Sequence, residues 1–441
     1  MSVREIGSEA ICEQLPGALR QWLTLERFHL HRPDLFQCTA DHPDFDPRYL
    51  PQHAQVARLP CFFVPARNVY AFGSQRHDQI LAPIASYASP EWVLFPVHPS
   101  ALDHYREFLR KVGARDVSDE GIHIWALPTS STRTLLAWCD GRPDTATFVK
   151  TSLHSRIFGE RRVLRANAAR SVGLSTMMVD ERSQLPPALC CLQESFAFCA
   201  RQSPHAGAIM RSIPPEFFDD RRRVVPMFAL LGGSGARTPM LRTILERSSD
   251  PPLQFVHDVL CEPFARLWIE LSLRSGWVLE AHGQDLMLEF TSDLAFTGRF
   301  FYRDFEGLQV DWDLRNAFRR SRPPRLPHDW AWREAYEGWE GDRFSASVWY
   351  KWRVSLLQYL HLVLHETETS LCEWQRQGLV RGSPCREDEV TMMFSRCMFA
   401  AIERTLGVHV GPAFNIYRSL NRFLILLAKV RRSVLDAELR G

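Results

Sequence analysis

The sequence predicts an α+β fold, with β-strands concentrated in the middle of the chain and helices at its end. Two pairs of β-rich runs, each joined by a turn signal, lie between residues 121 and 310. From about residue 311 onward, Leu, Trp and Phe recur at helical spacing. The chain has 441 residues, 45% hydrophobic and 24% charged, which is typical of a soluble globular protein with two or three domains.

Three regions follow from the composition. Residues 1–120 mix helical segments such as ALDHYREFLRKVG with Pro-rich loops such as ADHPDFDPRYLP. In residues 121–310, short β-rich runs alternate with helices. Residues 311–441 begin with the loop RRSRPPRLPHDW and continue with long helical patterns. We therefore predict an N-terminal region, a central β-rich region and a mainly helical C-terminal region.

Charge and cysteine usage indicate a cytoplasmic protein without a nucleic-acid or membrane partner. The net charge is only +2, so bulk electrostatics do not favour either polyanion. The N-terminus has no apolar stretch like that of a secretory signal. The apolar run FLILLA is far shorter than the roughly 20 residues of a membrane-spanning helix. Eleven scattered cysteines without a CxxC pair predict reduced thiols.

A first hairpin is predicted from STRTLLAWC, the turn DGRPD and TATFVKTSL. Side chains two residues apart in an extended strand point to the same face. Ser131 and Arg133 then share a face, Thr134 follows, and Lys150 lies on the returning strand. Lys150 is one of only four lysines among 53 basic residues, so its retention at this position is notable.

A second hairpin is predicted from HGQDLMLEF, the turn TSDLAFTG and RFFYRDFEG. A helix precedes it, because Phe264, Leu267, Trp268 and Leu271 recur at helical spacing until Gly276 ends the pattern.

The segment EAHGQD, residues 280–285, places several polar side chains between apolar segments. Read as an extended strand, it aligns Glu280, His282 and Gln284 on one face and turns Asp285 to the other. If the hairpin register holds, Asp304 on the returning strand lies across from this row.

Together the two hairpins supply what a magnesium–nucleotide site needs. Arg grips phosphate or carboxylate in a bidentate fork and Lys adds a point charge. Beyond Lys150, Arg161 and Arg162 open the helical-looking segment RRVLRANAARSVG. Carboxylate and amide oxygens on the second hairpin are ligands that Mg²⁺ prefers. An isolated polar strand or turn, however, is more often a solvated surface.

Five segments in order resemble the IucA/IucC family, the siderophore synthetases that work independently of non-ribosomal peptide synthetases. They are FPVHPS (95–100), ALPTSSTRT (126–134), FVKTSLHSRIFGERR (148–162), EAHGQD (280–285) and RDFEG (303–307). The resemblance implies a cupped-hand fold with thumb, fingers and palm regions, here with a shortened N-terminal thumb. It also implies a cytoplasmic enzyme, with a homodimer as a plausible state.

The resemblance further implies an AMP-forming ligase in iron acquisition. Such enzymes use ATP and Mg²⁺ to adenylate a carboxylate, commonly of citrate, and condense it with an amine or alcohol to an amide or ester. Lys150 and Arg162 would neutralise the α-phosphate, His282 would contact the phosphate or the acid, and Glu280 would orient His282.

The remaining implied contacts are with the nucleotide, the acid and the metal. Ser131, Arg133 and Thr134 would line the nucleotide and carboxylate pocket. Gln284, Asp285 and Asp304 would hold the nucleotide and the magnesium ion.

Some positions depart from the family pattern. Asp285 stands where Asn is usual, which would add negative charge near the phosphates. Phe158 replaces a polar residue and Ser100 replaces an aromatic one. The early HPxHPxxK-type motif is not evident. These differences suggest an altered acid pocket or a reduced thumb.

Several other features are weaker candidates. Arg422 and Lys429 are alternatives for the basic residue that the family places near its C-terminus, and a solvated helix end explains either equally well. LLGGSGART (230–238) lacks the GK[ST] ending of a phosphate loop and is better explained as a helix connection. His361 and His365 are one helical turn apart but lack a third metal ligand.

The sequence leaves three functions open. The first is the siderophore ligase just described. The second uses the same adenylation chemistry on another carboxylate-containing natural product. The third is an inert paralogue that binds a nucleotide or an acid.

Overall fold

The computed structural model describes residues 11–28, 49–51, 53, 55–73, 91–153, 155–157, 160–161, 163–164, 167–203, 206–232, 238–318 and 346–438. Its strands lie between residues 57 and 310, and the described residues after Val310 form helices and connecting loops. The predicted α+β fold with a helical C-terminal region is therefore confirmed.

The largest sheet has seven strands that pair antiparallel in the order β1-β6-β7-β8-β13-β12-β3. Its strands are β1 (Ala57–Arg58), β3 (Val69–Gly73), β6 (Ile124–Pro128), β7 (Thr134–Cys139), β8 (Arg142–Thr151), β12 (Glu194–Ala200) and β13 (Gly207–Arg211). Strands from both sides of residue 120 thus share this sheet. The three-region division of the chain stays a prediction.

A second sheet has four strands in the order β11-β17-β16-β14. They are β11 (Leu189–Cys191), β14 (Arg222–Pro226), β16 (Leu286–Thr291) and β17 (Phe296–Tyr302). β11 pairs parallel with β17, and the other pairings are antiparallel.

The remaining strands form small sheets. Three of them are β2 (Cys61–Pro65), β4 (Trp92–Pro96) and β5 (Arg115–Asp116). The others pair as β9 (Arg156–Ile157) with β10 (Glu160–Arg161), and as β15 (Trp277–Val278) with β18 (Gln309–Val310).

Ten helices are described in the residues that the structure covers. The first five are α1 (Gly17–Phe28), α2 (Leu102–Lys111), α3 (Asn167–Asp180), α4 (Met227–Leu231) and α5 (Met240–Arg247). Then come α6 (252–275), α7 (Trp312–Ala317), α8 (346–376), α9 (Glu389–Leu406) and α10 (Leu420–Glu438). α6 and α8 each contain π-helical stretches, namely His257–Cys261, Glu270–Ser275 and Tyr359–His365.

Both predicted hairpins are confirmed, as β7–β8 and β16–β17. In the first, Thr134 pairs with Lys150 and Gly141 adopts a positive φ of 69° in the turn. The predicted helix before the second hairpin is also confirmed. It ends at Gly276, whose φ of 70° is the left-handed conformation of a helix C-terminus.

The N-terminal helix α1 packs across both main sheets. Leu19, Trp22 and Leu23 recur at helical spacing and are buried with Phe148 of β8 and Phe301 of β17. The rings of Trp22 and Phe148 lie 5.1 Å apart between centroids. This shared core holds the ends of the two hairpins side by side.

The helical region packs on the other side of the four-stranded sheet. Phe264 of α6 stacks on Tyr359 of α8 with ring centroids 3.6 Å apart, and both rings are fully buried. The C-terminal helix α10 is tied in by Arg431, which binds both oxygens of buried Asp311 at 2.6 and 2.7 Å.

Cys372 and Cys385 form a disulfide with Cα atoms 5.4 Å apart. The expectation of reduced thiols is therefore wrong for this pair. The two residues are 13 positions apart, and only the turn after α8 brings them together, so their spacing gave no signal. None of the described helices is long and apolar enough to cross a membrane.

Candidate active site

The loop of residues 129–133, between β6 and β7, forms one wall of the candidate site. The amide of Thr129 donates to the carbonyl of Thr134 at 2.8 Å, and the amide of Thr134 donates to the carbonyl of Ser131 at 2.6 Å. Ser131 and Arg133 therefore lie in a tight loop. The prediction that they share a strand face is wrong, because strand pairing begins only at Thr134.

Ser130, which the sequence interpretation missed, joins this loop to two distant segments. Its hydroxyl donates to Glu26 of α1 at 2.5 Å and accepts from the side-chain amide of Gln284 at 2.7 Å. Arg303 binds the same Glu26 carboxylate. Glu26 and Ser130 are fully buried, so the N-terminal helix fixes the loop next to Gln284.

His98 of the FPVHPS segment supports the same loop from behind. Its Nδ1 accepts from the Ser100 amide at 3.2 Å and bonds the Ser100 hydroxyl at 2.7 Å. The ring also makes a hydrogen bond with the backbone of Thr132. Complete burial lowers the pKa of His98 to about 3, so the imidazole is neutral at pH 7. His98 thus has a structural role.

The segment of residues 280–285 is a turn, and the predicted extended row of Glu280, His282 and Gln284 is wrong. The amides of Asp285 and Leu286 both donate to the carbonyl of His282, at 3.0 and 3.1 Å. Strand pairing starts only at Leu286, opposite Tyr302. A turn satisfies the backbone groups of this polar segment locally, where a strand would need a partner.

Asp304 follows β17 in a second turn and has a positive φ of 74°. Its carbonyl accepts from the Tyr302 hydroxyl at 3.1 Å and from the Gly307 amide at 3.2 Å. Asp tolerates this left-handed conformation better than most residues. The turn directs the Asp304 carboxylate toward the first hairpin.

Four charged side chains meet between the hairpins. Lys150 Nζ lies 2.7 Å from Asp304 Oδ1 and 2.9 Å from Glu306 Oε2, and Arg133 lies 3.1 Å from the same Glu306 oxygen. The predicted proximity of Arg133, Lys150 and Asp304 is thus observed. Glu306 was missed, although its place in the RDFEG segment, two residues after Asp304, was the available signal.

The cluster favours the charged form of each member. Burial acts against the charge of Lys150, but Asp304 and Glu306 raise its pKa above the usual value. Burial likewise opposes the charge of both carboxyls. Lys150 and Arg133 outweigh it, lowering the pKa of Glu306 to about 2 and that of Asp304 well below its ordinary value.

A buried ion pair lies behind this cluster. Arg211 of β13 contacts Glu194 of β12 at 2.6 Å, and the two side chains are 4% and 0% exposed. β13 pairs with β8 at Ile209 and Lys150, so the pair lies next to Lys150. Arg211 contributes to lowering the pKa of Asp304.

Glu280 links the turn of residues 280–285 to the helical region. Its carboxylate accepts from Lys351 of α8 at 2.7 Å and from Gln358 at 3.2 Å. It also packs on Gly307, where an added Cβ would lie 2.5 Å from Glu280 Oε2. Lys351, another of the four lysines, was missed because its helix is more than 60 residues further along the chain.

His282 and Asp285 both favour their neutral forms. Burial lowers the pKa of His282 to about 4, although the Glu280 carboxylate acts in the opposite direction. Burial, and then the neighbouring Asp304 carboxylate, raise the pKa of Asp285 well above its ordinary value. Asp285 therefore resembles the neutral amide of Asn more closely than its sequence suggested.

Other predicted residues are not brought to this site. Arg162 and Phe158 lie outside the described residues. Arg161 belongs to β10 and does not open a helix, since α3 begins at Asn167. Arg422 and Lys429 are exposed on α10, with Arg422 over the Phe414 ring at 4.2 Å.

The discounted features have simple structural explanations. His361 and His365 stack on each other, and His361 Nδ1 bonds the Tyr417 hydroxyl at 3.1 Å. Residues 233–237 of LLGGSGART fall outside the described residues, between α4 and α5. A cavity of about 510 Å³ in the helical region is lined by Glu368, Tyr417 and other residues, and the predicted site residues are not among them.

Metal binding remains a prediction. Within the described residues, no three His, Cys, Asp or Glu side chains are already arranged to hold a metal ion. Of the predicted ligands, Asp304 has a carboxylate that is 29% exposed and paired with Lys150. The amide nitrogen of Gln284 is bonded to Ser130.

Comparison with known proteins supports the resemblance seen in the sequence. Residues 44–232 match the model of the IucA/IucC family. No curated protein matches the chain. These findings confirm the predicted resemblance to that family.

Three solved structures share the fold over about nine-tenths of this chain. The petrobactin biosynthesis protein AsbB from Bacillus anthracis has a TM-score of 0.64 and 15% identity, with coverage of 90% of this chain and 70% of AsbB. ATP-bound aerobactin synthetase IucA from Klebsiella pneumoniae has values of 0.60, 18%, 90% and 74%. Aerobactin synthetase IucC from the same organism has values of 0.59, 16%, 92% and 77%.

Proposed function

From the match of residues 44–232 to the IucA/IucC family and the fold shared with AsbB, IucA and IucC, we propose that this chain is a siderophore synthetase. It is an ATP- and Mg²⁺-dependent ligase that adenylates a carboxylate of citrate or a related di- or tricarboxylic acid. It then condenses the activated acid with an amine or alcohol.

The observation that carries this proposal is the meeting of the two hairpins at Lys150. The first hairpin contributes Arg133 and Lys150, and the second contributes Asp304 within 2.7 Å of Lys150. Attack of a carboxylate oxygen on the α-phosphorus brings two anions together and expels pyrophosphate. Such a displacement needs charge neutralisation and alignment more than covalent help from the protein.

Each residue has a role that fits its chemistry. Lys150, together with Arg162, neutralises the α-phosphate while the carboxylate oxygen attacks. Arg133 presents its guanidinium beside Lys150, and Ser131 and Thr134 supply hydroxyl groups to the nucleotide and acid pocket. The Thr134 and Ser131 hydroxyls lie 3.4 Å apart, so they form one polar patch of the wall.

The turn of residues 280–285 orients the reactants. A neutral His282 donates one hydrogen bond and accepts another, and Nδ1 already accepts from the Gln284 amide at 3.2 Å. Its other nitrogen can then donate to a phosphate or carboxylate oxygen. Glu280, held by Lys351, positions this turn.

The oxygen donors at the end of the second hairpin suit magnesium. Asp304 would hold the ion with Gln284 and Asp285, because Mg²⁺ prefers carboxylate and amide oxygens. The ion, when bound, neutralises phosphate charge. The raised pKa of Asp285 makes it a weaker ligand than Asp304.

In the second half-reaction the nucleophile attacks the acyl carbon of the adenylate. The nitrogen or oxygen forms the new amide or ester bond, loses its proton, and AMP leaves with the C–O bonding electrons. The same chemistry would serve another carboxylate-containing natural product, so the acid and the nucleophile are the variables that the experiment must scan.

A second candidate is an inert paralogue that binds a nucleotide or an acid without turnover. One observation favours it: Lys150 and Arg133 are already neutralised by Asp304 and Glu306. In that case the cations would stabilise the fold and would not need to bind substrate.

A panel assay distinguishes these functions. The protein is incubated with ATP, Mg²⁺ and a series of di- and tricarboxylates, and pyrophosphate release and hydroxamate trapped by hydroxylamine are measured. We expect both products with at least one acid. Tight ATP binding without turnover on any acid would support the inert paralogue.

Replacement of Lys150 tests its role. We expect Lys150→Ala to slow pyrophosphate release about 100- to 1000-fold, the usual effect of losing one preorganised charge contact. The fold should persist, since Asp304 and Glu306 are 29% and 24% exposed and reach water. The matched control is Lys111→Ala, at a surface position 57% exposed. Equal rates in both variants would refute the assignment.

A further inference from the structure

Glu306 makes a contact that a substrate anion is expected to make. One of its oxygens, Oε2, accepts from Lys150 at 2.9 Å and from Arg133 at 3.1 Å. A single anionic oxygen between an ammonium and a guanidinium is the geometry by which proteins bind phosphate and carboxylate. The chain therefore fills its own anion position.

We propose that Glu306 is an internal competitor for the anion position at Lys150 and Arg133 and decides which anions this site accepts. This inference rests on the proposed function, because it concerns the same cations. A substrate phosphate or carboxylate reaches them only by displacing the Glu306 carboxylate.

The burial of Lys150 explains why such a competitor is needed. The Lys150 side chain is 2% exposed, and a buried ammonium without an anionic partner is strongly unfavourable. Asp304 supplies one partner and Glu306 the second. With two cations and two carboxylates the cluster has no net charge, so the site is stable before any ligand arrives.

Of the two carboxylates, Glu306 is the one suited to leave. The backbone of Asp304 is fixed on both sides, since its carbonyl accepts from Tyr302 and Gly307. Glu306 lies between these anchors with one more methylene in its side chain, and that side chain is 24% exposed. Rotation about its side-chain bonds places the carboxylate in water without disturbing the turn.

Protonation cannot remove Glu306 under ordinary conditions. Burial opposes its charge, but Lys150 and Arg133 lower its pKa to about 2. Near neutral pH, displacement by another anion is the remaining route. An anion must therefore offer more hydrogen bonds than one carboxylate, which favours di- and polyanions over simple monoanions.

Equilibrium binding of inorganic pyrophosphate, without nucleotide or metal, tests this inference directly. The dissociation constant is measured by calorimetry at fixed ionic strength for the wild type and Glu306→Gln. We expect Glu306→Gln to bind pyrophosphate about tenfold more tightly or better, because one charge-assisted competitor is lost. Sulfate, a simple anion, should show the same direction of change.

The matched control is Glu216→Gln. Glu216 is 23% exposed, close to the value for Glu306, and pairs with Arg299 at 2.6 Å outside the site. Its replacement should leave pyrophosphate affinity unchanged. A Glu306 with only a structural role predicts weaker binding in Glu306→Gln, so unchanged or weaker binding overturns the inference.

A second variant covers the case in which Glu306→Gln does not fold. Glu306→Asp keeps the charge but is too short to span both cations, so we expect pyrophosphate affinity between those of the wild type and the tenfold tighter limit. Affinity at or below the wild-type value would overturn the proposal.

These binding measurements are independent of turnover. Tighter pyrophosphate binding in Glu306→Gln, with no acid activated by any variant, would support the role of Glu306 and reject the ligase. Acid activation by the wild type with no gain of affinity in Glu306→Gln would reject only the role of Glu306.

Discussion

At the scale of single residues, Lys150 shows how a buried charge can be both structural and functional. Its strand position places it in the interior, where it needs two carboxylate partners, Asp304 and Glu306. A substrate anion can replace one partner without leaving the ammonium unpaired. A site for anions is therefore built from an ion cluster that also stabilises the empty protein.

His98 gives a residue-scale prediction about pH. Burial lowers its folded pKa from 6.5 to about 3. Between these values the unfolded chain binds a proton that the folded chain does not, so the free energy of unfolding falls as pH decreases from about 7 to about 4. The loss from this one group reaches roughly 3 kcal/mol at pH 4.

We expect His98→Gln to lose less stability than the wild type over this pH range. The measurement is urea denaturation at pH 7, 5.5 and 4. The control is His104→Gln, at an exposed position of α2, which should follow the wild type. Parallel curves for His98→Gln and the wild type would contradict a buried neutral imidazole.

At the scale of elements, the site depends on turns at the ends of regular hairpins. The loop of residues 129–133, the turn of residues 280–285 and the turn at Asp304 meet where β7–β8 and β16–β17 end. The strands fix where each turn begins, and local hydrogen bonds fix the direction of each side chain. This arrangement makes the site rigid on its sheet side.

The α8 helix completes the site from the other side, through Lys351 and Glu280. Lys351 contributes to lowering the pKa of His282, which burial places at about 4. We expect Lys351→Met to raise the pKa of His282, because a nearby positive charge is removed while the Glu280 carboxylate remains. Nuclear magnetic resonance titration of labelled histidine measures this change.

The same variant should slow pyrophosphate release, since Glu280 loses the contact that positions it. The control is Lys429→Met on α10, where the lysine is exposed and should affect neither quantity. If the His282 pKa is the same in Lys351→Met and the wild type, α8 does not act on the turn as proposed.

At the scale of the whole molecule, buried ion pairs connect elements that are far apart in the chain. Glu26 of α1 joins Ser130 and Arg303, and Arg431 of α10 joins Asp311 after β18. These contacts tie both described ends of the chain to the sheets that carry the site. Loss of either would therefore affect the site without touching a substrate.

Arg431→Ala tests this connection. Asp311 is fully buried and its two oxygens both accept from Arg431. Removal of one partner of a buried pair costs about 3–5 kcal/mol, so the urea midpoint should fall strongly. Arg432→Ala, at the exposed neighbouring position, should change stability by less than about 0.5 kcal/mol. Equal midpoints in the two variants would contradict this account.

Much of the fold was predictable because its signals are local. Alternating and helical spacing predicted the two hairpins, the helix that ends at Gly276 and the helical C-terminal region. The local extent of the polar segments was predicted less well. EAHGQD alternates like a strand, but its backbone groups are satisfied within a turn, and alternation alone cannot distinguish the two.

The sequence by itself determined the family resemblance, the hairpins and the chemical types of the site, namely Arg133, Lys150, His282 and Asp304. Only the tertiary structure decided that Glu306 shares both cations, that Lys351 holds Glu280, and that Ser130 bridges Glu26 and Gln284. The physical reason is distance along the chain. These partners are 71 to 156 residues apart, and no local pattern records which charges meet when helices and sheets pack together.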